Sequence, residues 1–150
     1  MAAKTKGHRP GVRRLGRTLA FQVLYGSHFV YPARPEAIET QFARNPLVAE
    51  QSSEAVLGFA RDLVTGVSAR RAEVDAAIEA HSQHWKIERI AVVELSILRL
   101  SIFEMLYTDI PVRAAINEAI ELSKAFGDDK SRGFVNGILD GVARSAAIDR

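Results

Sequence analysis

The stretch from Ile87 to Tyr107 constrains the fold of this chain more than any other sequence feature. Its apolar residues fall on most sides of a helix and not on a single stripe, which is typical of a helix that other elements surround. Five charged residues in the same stretch, among them Arg99 and Glu104, argue against a membrane span. The stretch therefore predicts a central, buried helix.

The segments around it show the 3-4 spacing of amphipathic helices. We predict helices from Val12 to Tyr31, Glu36 to Phe42, Ser52 or Ser53 to Ile78, Pro111 to Phe126, and from about Asp129 or Ser131 onward. We predict that the helix ending at Ile78 could kink at Gly66, and that Gly127 ends the helix that begins at Pro111. No segment shows the alternation of a strand over a useful length. The prediction is an all-α protein.

Charge is distributed unevenly along the chain, although the net charge is only +2. The first 35 residues carry seven basic residues and no acidic one, and the remainder carries 13 basic and 18 acidic residues, a net charge of −5. This asymmetry indicates a basic arm, predicted to be flexible over residues 1–12, on a mildly acidic body. The body, residues 13–150, is expected to be one domain that is subdivided near residue 84.

Three interpretations of the basic arm are open at this point: a nucleic-acid site, a solvated tail, or an organellar transit peptide. Because the helical pattern from Val12 continues through Arg17, the arm is partly structured, which disfavours a cleaved leader. No apolar stretch of a secretory signal occurs between Met1 and Arg14.

Residues that could carry chemistry do not form a convincing catalytic site. The chain has no cysteine, which excludes disulfides, thiolate metal sites and cysteine nucleophiles. His81 and His84 faintly resemble a metal site but are better interpreted as surface histidines, and Gly127 to Ser131 is better interpreted as a turn and helix cap than as a phosphate loop. We expect no enzyme activity, no metal and no cofactor.

The remaining candidates form a nucleic-acid site. Arginine and lysine neutralise phosphates, and an exposed tyrosine can stack on a base. Tyr25 could equally belong to the core stripe of its helix. The candidate RNA-binding residues are Lys6, Arg9, Arg13, Arg14, Arg17, Tyr25, Lys130, Ser131 and Arg132.

Several motifs resemble the NusB family of bacterial transcription antitermination factors. They are Arg17-x-x-Ala20-x-Gln22-x-Leu24-Tyr25, Ile97-Leu98-Arg99-Leu100-x-x-x-Glu104, Ile116-Asn117-Glu118-Ala119-Ile120-Glu121-Leu122 and Phe134-Val135-Asn136-Gly137-Ile138-Leu139-Asp140. The resemblance covers about residues 13–144, and its C-terminal part is the more specific.

This resemblance implies two packed helical bundles, three helices in the N-terminal half and about four in the C-terminal half. It also implies a complex with NusE, a ribosomal protein of the small subunit, that binds boxA-type single-stranded RNA within the RNA polymerase antitermination complex and supports ribosomal RNA transcription in the cytoplasm. A homodimer is a further expectation for some members. Arg13, Arg14, Arg17 and Tyr25 match the family's N-terminal RNA-binding motif, and Lys130 to Arg132 match the segment before its last helix.

Two other functions are compatible with these residues. The chain could be an RNA-recognition module of the kind fused to ribosomal RNA methyltransferases, or a pure protein-interaction module whose arm is a solvated tail. The buried acids Glu104 and Glu118 are expected to pair, with Arg99 as the candidate partner.

Overall fold

The computed structural model describes residues 11–29, 37–83 and 86–146, and these ranges contain helices and no strand. The α-helices are α1 (Val12–Ser27), α2 (Ile38–Arg44), α3 (Pro46–Glu50), α4 (Glu54–Ala69), α5 (Arg71–His81), α6 (Val92–Tyr107), α7 (Val112–Phe126) and α8 (Asp129–Ser145). The prediction of an all-α protein is confirmed. Helix α1 ends at Ser27, four residues before the end predicted at Tyr31, which itself lies outside the described residues.

Helix α6 is the centre of the fold, as the apolar stretch predicted. Every residue from Leu95 to Ile102 is buried, and α6 packs against α1, α4, α5, α7 and α8. Burial of each large aliphatic side chain contributes roughly 1.5–3 kcal/mol relative to exposure, and α6 buries more of them than any other described helix. The predicted start at Ile87 was wrong, because Ile87–Arg89 forms a 3-10 turn and Ile90 is extended before α6 begins at Val92.

The long helix predicted from Ser53 to Ile78 is divided into α4 and α5. Ser53 caps its start as predicted, accepting a hydrogen bond from the Val56 backbone N–H at 3.2 Å. The break lies at Arg70, whose φ of −108° and ψ of 20° are not helical. Gly66 was therefore the wrong position for the break. Its missing side chain serves packing instead, because a Cβ there would overlap the ring of Phe103 on α6.

Two helix ends differ from the sequence-based prediction. The helix predicted to end at Phe42 continues to Arg44 as α2, and Asn45 then caps the short helix α3, which was not predicted, accepting a hydrogen bond from the Leu47 backbone N–H. The cap of α8 is Asp128, and neither Asp129 nor Ser131 takes that position. Both predicted caps, Asp129 and Ser131, lie inside α8, because the extended residue that precedes the helix is Asp128.

The packing of the helices agrees with the expected three-plus-four arrangement. Helices α1, α2 and α4 pack together, with α3 beside α2, whereas α5 packs mainly on α6 and α8. The subdivision predicted near residue 84 stays a prediction, and this grouping would place it at Arg70.

Candidate nucleic-acid interface

The three arginines of α1 have different surroundings in the folded protein. Arg13 and Arg14 are exposed, whereas the side chain of Arg17 is only 7% exposed. The guanidinium groups of Arg13 and Arg17 lie over the ring of Phe59 on α4, at 5.9 and 5.4 Å from its centre. The i,i+4 spacing thus directs both side chains to α4, but only Arg13 keeps its charge at the surface.

Arg17 forms the buried ion pair of the fold's centre. Its Nε donates to both carboxylate oxygens of Glu104 on α6, each at 2.9 Å, and its Nη1 lies 3.8 Å from Glu118. Burial raises the pKa of Glu104, and the hydrogen bond from Arg17 opposes that shift. A guanidinium in this position orients α1 against α6 and is not free to meet a ligand. The RNA-binding role of Arg17 stays a prediction.

The prediction that Glu104 and Glu118 pair with Arg99 is wrong. Arg99 pairs with Asp75 on α5. Glu118 instead accepts from Arg14, with its Oε2 at 2.7 Å from Nη2 and its Oε1 at 3.2 Å from Nε. This hydrogen bond raises the pKa of Arg14, whose side chain stays 52% exposed. Arg14 is therefore oriented by α7 yet open to solvent.

A row of aromatic rings continues the face of α1 beyond its arginines. Phe21 is buried and contacts Phe126, at the end of α7, with ring centres 4.8 Å apart. Tyr25 contacts Phe21 at 6.2 Å and Phe29 at 5.2 Å. Tyr25 is 38% exposed, so the alternative that it belongs wholly to the core does not hold.

Sequence reasoning missed Phe126 and Phe29, which are 38% and 62% exposed. Phe126 was interpreted only as the last residue before the Gly127 stop. The signal that could have identified both was a large aromatic residue at a helix end, where burial is incomplete.

A capping box formed by Asp128 and Ser131 stabilises the N-terminus of α8. The Asp128 carboxylate accepts from the backbone N–H groups of Lys130 and Ser131 at 3.0 and 3.1 Å, and the Ser131 hydroxyl in turn accepts from the Asp128 N–H at 3.1 Å. Hydrogen bonds from Ser131 and Lys130 lower the pKa of Asp128. These two N–H groups are thus occupied and not free to bind an anion.

At the start of α8, one candidate side chain is buried and two are accessible to solvent. Ser131 is buried and its hydroxyl also donates to the Glu94 carboxylate of α6, so it fixes the helix in place. Lys130 is exposed, and among the described residues Arg132, with 43% of its side chain exposed, has one ion pair, an i,i+3 contact of 3.7 Å with the fully exposed Asp129. Lys130 and Arg132 are the members of this segment that can meet a ligand.

Helices α1 and α7 bring these groups onto one surface. The contacts Arg14–Glu118 and Phe21–Phe126 follow the same order along both helices, so the two helices run in parallel. The start of α8 follows Phe126 by three residues, and because Phe126 contacts Phe21, it lies toward the Phe21–Tyr25 half of α1. We call the resulting face the basic–aromatic surface; its residues are Arg13, Arg14, Tyr25, Phe126, Lys130 and Arg132.

The length of this surface follows from helix geometry. From Arg13 to Tyr25 the helix rises roughly 18 Å. Cations thus lie at both ends and aromatic rings between them. Lys6 and Arg9, also predicted to bind RNA, lie outside the described residues and stay predictions.

Other candidate chemistry is accounted for by local contacts. The ring of His81 lies 3.1 Å from the Ala77 carbonyl oxygen, and Asp140 pairs with Arg144 along α8. In the described part of the chain, no group of three or more His, Cys, Asp or Glu residues could hold a metal ion. Within the same ranges, no helix is long and apolar enough to cross a membrane.

Comparison with known proteins places this geometry in context. The sequence profile of the NusB family matches residues 14–144. A transcription antitermination protein NusB of Nitratidesulfovibrio vulgaris is 45% identical, with 97% of this chain and 94% of that protein covered.

Solved structures give the same result. NusB of T. maritima is 32% identical, with a TM-score of 0.78 and coverage of 91% of this chain and 92% of that one. A chain in the crystal structure of the antitermination factors NusB and NusE in complex with dsRNA is 27% identical, with a TM-score of 0.76 and coverage of 89% and 97%.

Proposed function

The chain belongs to the NusB family, and we propose on this premise that it is a transcription antitermination factor that binds boxA-type single-stranded RNA together with NusE. Its role is that of a non-catalytic scaffold within the RNA polymerase antitermination complex, in support of ribosomal RNA transcription. It acts in the cytoplasm, where bacterial transcription takes place.

The basic–aromatic surface is the observation that carries this proposal. Single-stranded RNA is bound by combining cations that follow the backbone with rings on which unstacked bases stack. Arg13, Arg14, Lys130 and Arg132 supply exposed cations, and Tyr25 lies between the two pairs. A solvated tail would not require Arg14 to be oriented by Glu118.

Each candidate residue has a distinct proposed role. Arg13, Arg14, Lys130 and Arg132 contact phosphates, and Tyr25 and Phe126 stack on bases. Arg17 and Ser131 act through the fold, since one fixes α1 against α6 and the other fixes the start of α8. Lys6 and Arg9 extend the cationic end of the surface.

Two observations from relatives support the partners. One similar chain was solved in a complex with NusE and double-stranded RNA. A relative that aligns over 94% of its own length is named an antitermination protein, which favours this function over a methyltransferase-linked RNA module.

A salt titration tests the proposed function. We expect the protein with NusE to bind boxA-type RNA more tightly than scrambled RNA of equal length, and the logarithm of the binding constant to fall linearly with the logarithm of salt concentration. The protein without NusE should show the same salt dependence with weaker discrimination. Equal affinity for both RNAs with NusE present would reject boxA recognition, and absence of RNA binding in both states would favour a protein-interaction module.

A further inference from the structure

A second concentration of positive charge lies away from Arg13 and Arg14, at the other end of α1. A cavity of about 360 Å³ is enclosed by the end of α1, by α2, by the junction of α4 and α5, and by the first turns of α6. Its polar lining includes Arg71, Asp75, Arg99, Ser96 and His28. His28 is fourteen residues from Arg14, a rise of roughly 21 Å along the helix direction, so the cavity is separate from the arginine end of the basic–aromatic surface and adjoins its Tyr25 end.

The two arginines of this cavity share one carboxylate. Arg99 donates a hydrogen bond to each carboxylate oxygen of Asp75, with Nε–Oδ1 at 2.8 Å and Nη2–Oδ2 at 3.0 Å. Arg71 is left with a contact of 3.5 Å between its Nε and Oδ2 of Asp75. Two guanidinium charges thus face a single negative charge.

The Nε of Arg71 is a buried donor without a well-formed hydrogen bond, because Oδ2 of Asp75 lies 3.5 Å away. The Arg71 side chain is 40% exposed overall, but its Nε is buried and has no hydrogen-bond partner among the described residues. A buried polar group without a partner costs stability, so such a group usually points to a missing ligand or to strain. Here it lines an open cavity, which provides the space for an acceptor.

The electrostatics of the neighbouring groups agree with this geometry. Burial lowers the pKa of Arg71, and the charge of Arg99 lowers it further. Burial also lowers the pKa of His28, with additional effects of Arg99 and Arg71. Burial is the larger cause of both pKa shifts and neighbouring positive charge the smaller one, and for Arg71 the Asp75 carboxylate acts in the opposite direction.

We propose that this cavity binds a phosphate group, held by Arg71 and Arg99 with Ser96 and His28 beside it. A guanidinium offers N–H donors in a planar fork that matches phosphate oxygens. A phosphate ester carries up to two negative charges and three acceptor oxygens, so it can neutralise the excess charge and also bond the free Nε–H.

The remaining lining favours an ester over the bare ion. Leu24, Ile38 and Val67 supply apolar wall, and the cavity falls in the size range of small-molecule sites, about 300–1,000 Å³. The phosphate comes either from a small free molecule or from an RNA chain, and the experiment separates these sources.

The test is an NMR titration of the full chain with inorganic phosphate, against chloride at the same ionic strength. We expect the Arg71 Nε–H and the His28 ring signals to shift saturably with phosphate. In the variant Arg71→Gln the affinity should fall about tenfold or more, because a charge-assisted hydrogen bond is lost. Arg70→Gln is the matched control, since Arg70 is adjacent, lies over Tyr107 and carries the same charge; it should leave the titration unchanged.

The outcomes decide both the site and the source. Competition between boxA-type RNA and phosphate for the Arg71 signal would identify the RNA chain as the source, and a shift by adenosine monophosphate that RNA does not displace would identify a small free molecule. Linear shifts without saturation, or equal affinities of Arg71→Gln and Arg70→Gln, would overturn the proposal. RNA binding through the basic–aromatic surface is measured separately, so failure here leaves the proposed function standing.

Discussion

Replacing Arg17 by alanine is expected to destabilise the folded protein by about 3–5 kcal/mol, because it leaves the buried carboxylate of Glu104 without its partner. Glu118 cannot substitute for Arg17, since it is also an acid. Urea unfolding followed by circular dichroism measures the change as a lower midpoint with a similar slope.

The matched control is Arg13→Ala, one turn away on the same helix and exposed. It should change stability by no more than about 0.5 kcal/mol. The double variant Arg17→Met with Glu104→Leu should recover most of the loss, because replacing both partners of a buried pair by apolar groups is often neutral. Equal stability of Arg17→Ala and Arg13→Ala would show that the pair does not anchor α1.

The double variant Arg13→Ala with Arg14→Ala is expected to weaken binding of boxA-type RNA about tenfold or more at low salt. Each lost phosphate contact also reduces the slope of log K against log salt by about 0.7 for a single strand, so the slope should flatten by about 1.4. Fluorescence anisotropy over a salt series measures both quantities.

The control for this variant removes equal charge elsewhere. Arg61 of α4 lies over the ring of Phe42 of α2, and Arg144 pairs with Asp140 at the far end of α8. Arg61→Ala with Arg144→Ala should leave the slope unchanged. A loss of affinity as large as in the Arg13 and Arg14 variant would mean that net charge, and not the surface, governs binding.

The sequence predicted the helices with strong periodicity and missed features that depend on tertiary contacts. The central helix α6 could be predicted because an apolar circumference requires partners on all sides. The break at Arg70 could not, since no proline or glycine marks it and the cause lies in α5 packing on α6 and α8. Gly66 was misjudged because a glycine that admits a neighbouring ring looks the same in sequence as one that bends a helix.

The sequence predicted which types of residue form the candidate site, but not which of their side chains are buried. Helical spacing placed Arg13, Arg14 and Arg17 close together, yet it could not show that Glu104, 87 residues later, withdraws Arg17 from the surface. The contribution of Phe126 likewise depends on α1 and α7 running side by side. Long-range pairing is therefore what separates the residues that form the surface from those that support it.

The most direct test of the central claim is to map the RNA contact by NMR during titration with boxA-type RNA. The account predicts that the largest amide and side-chain shifts occur at Arg13, Arg14, Tyr25, Lys130 and Arg132, while the exposed residues of α3 and the end of α8 stay unchanged. Shifts concentrated on those latter elements, with α1 and the start of α8 unaffected, would contradict it.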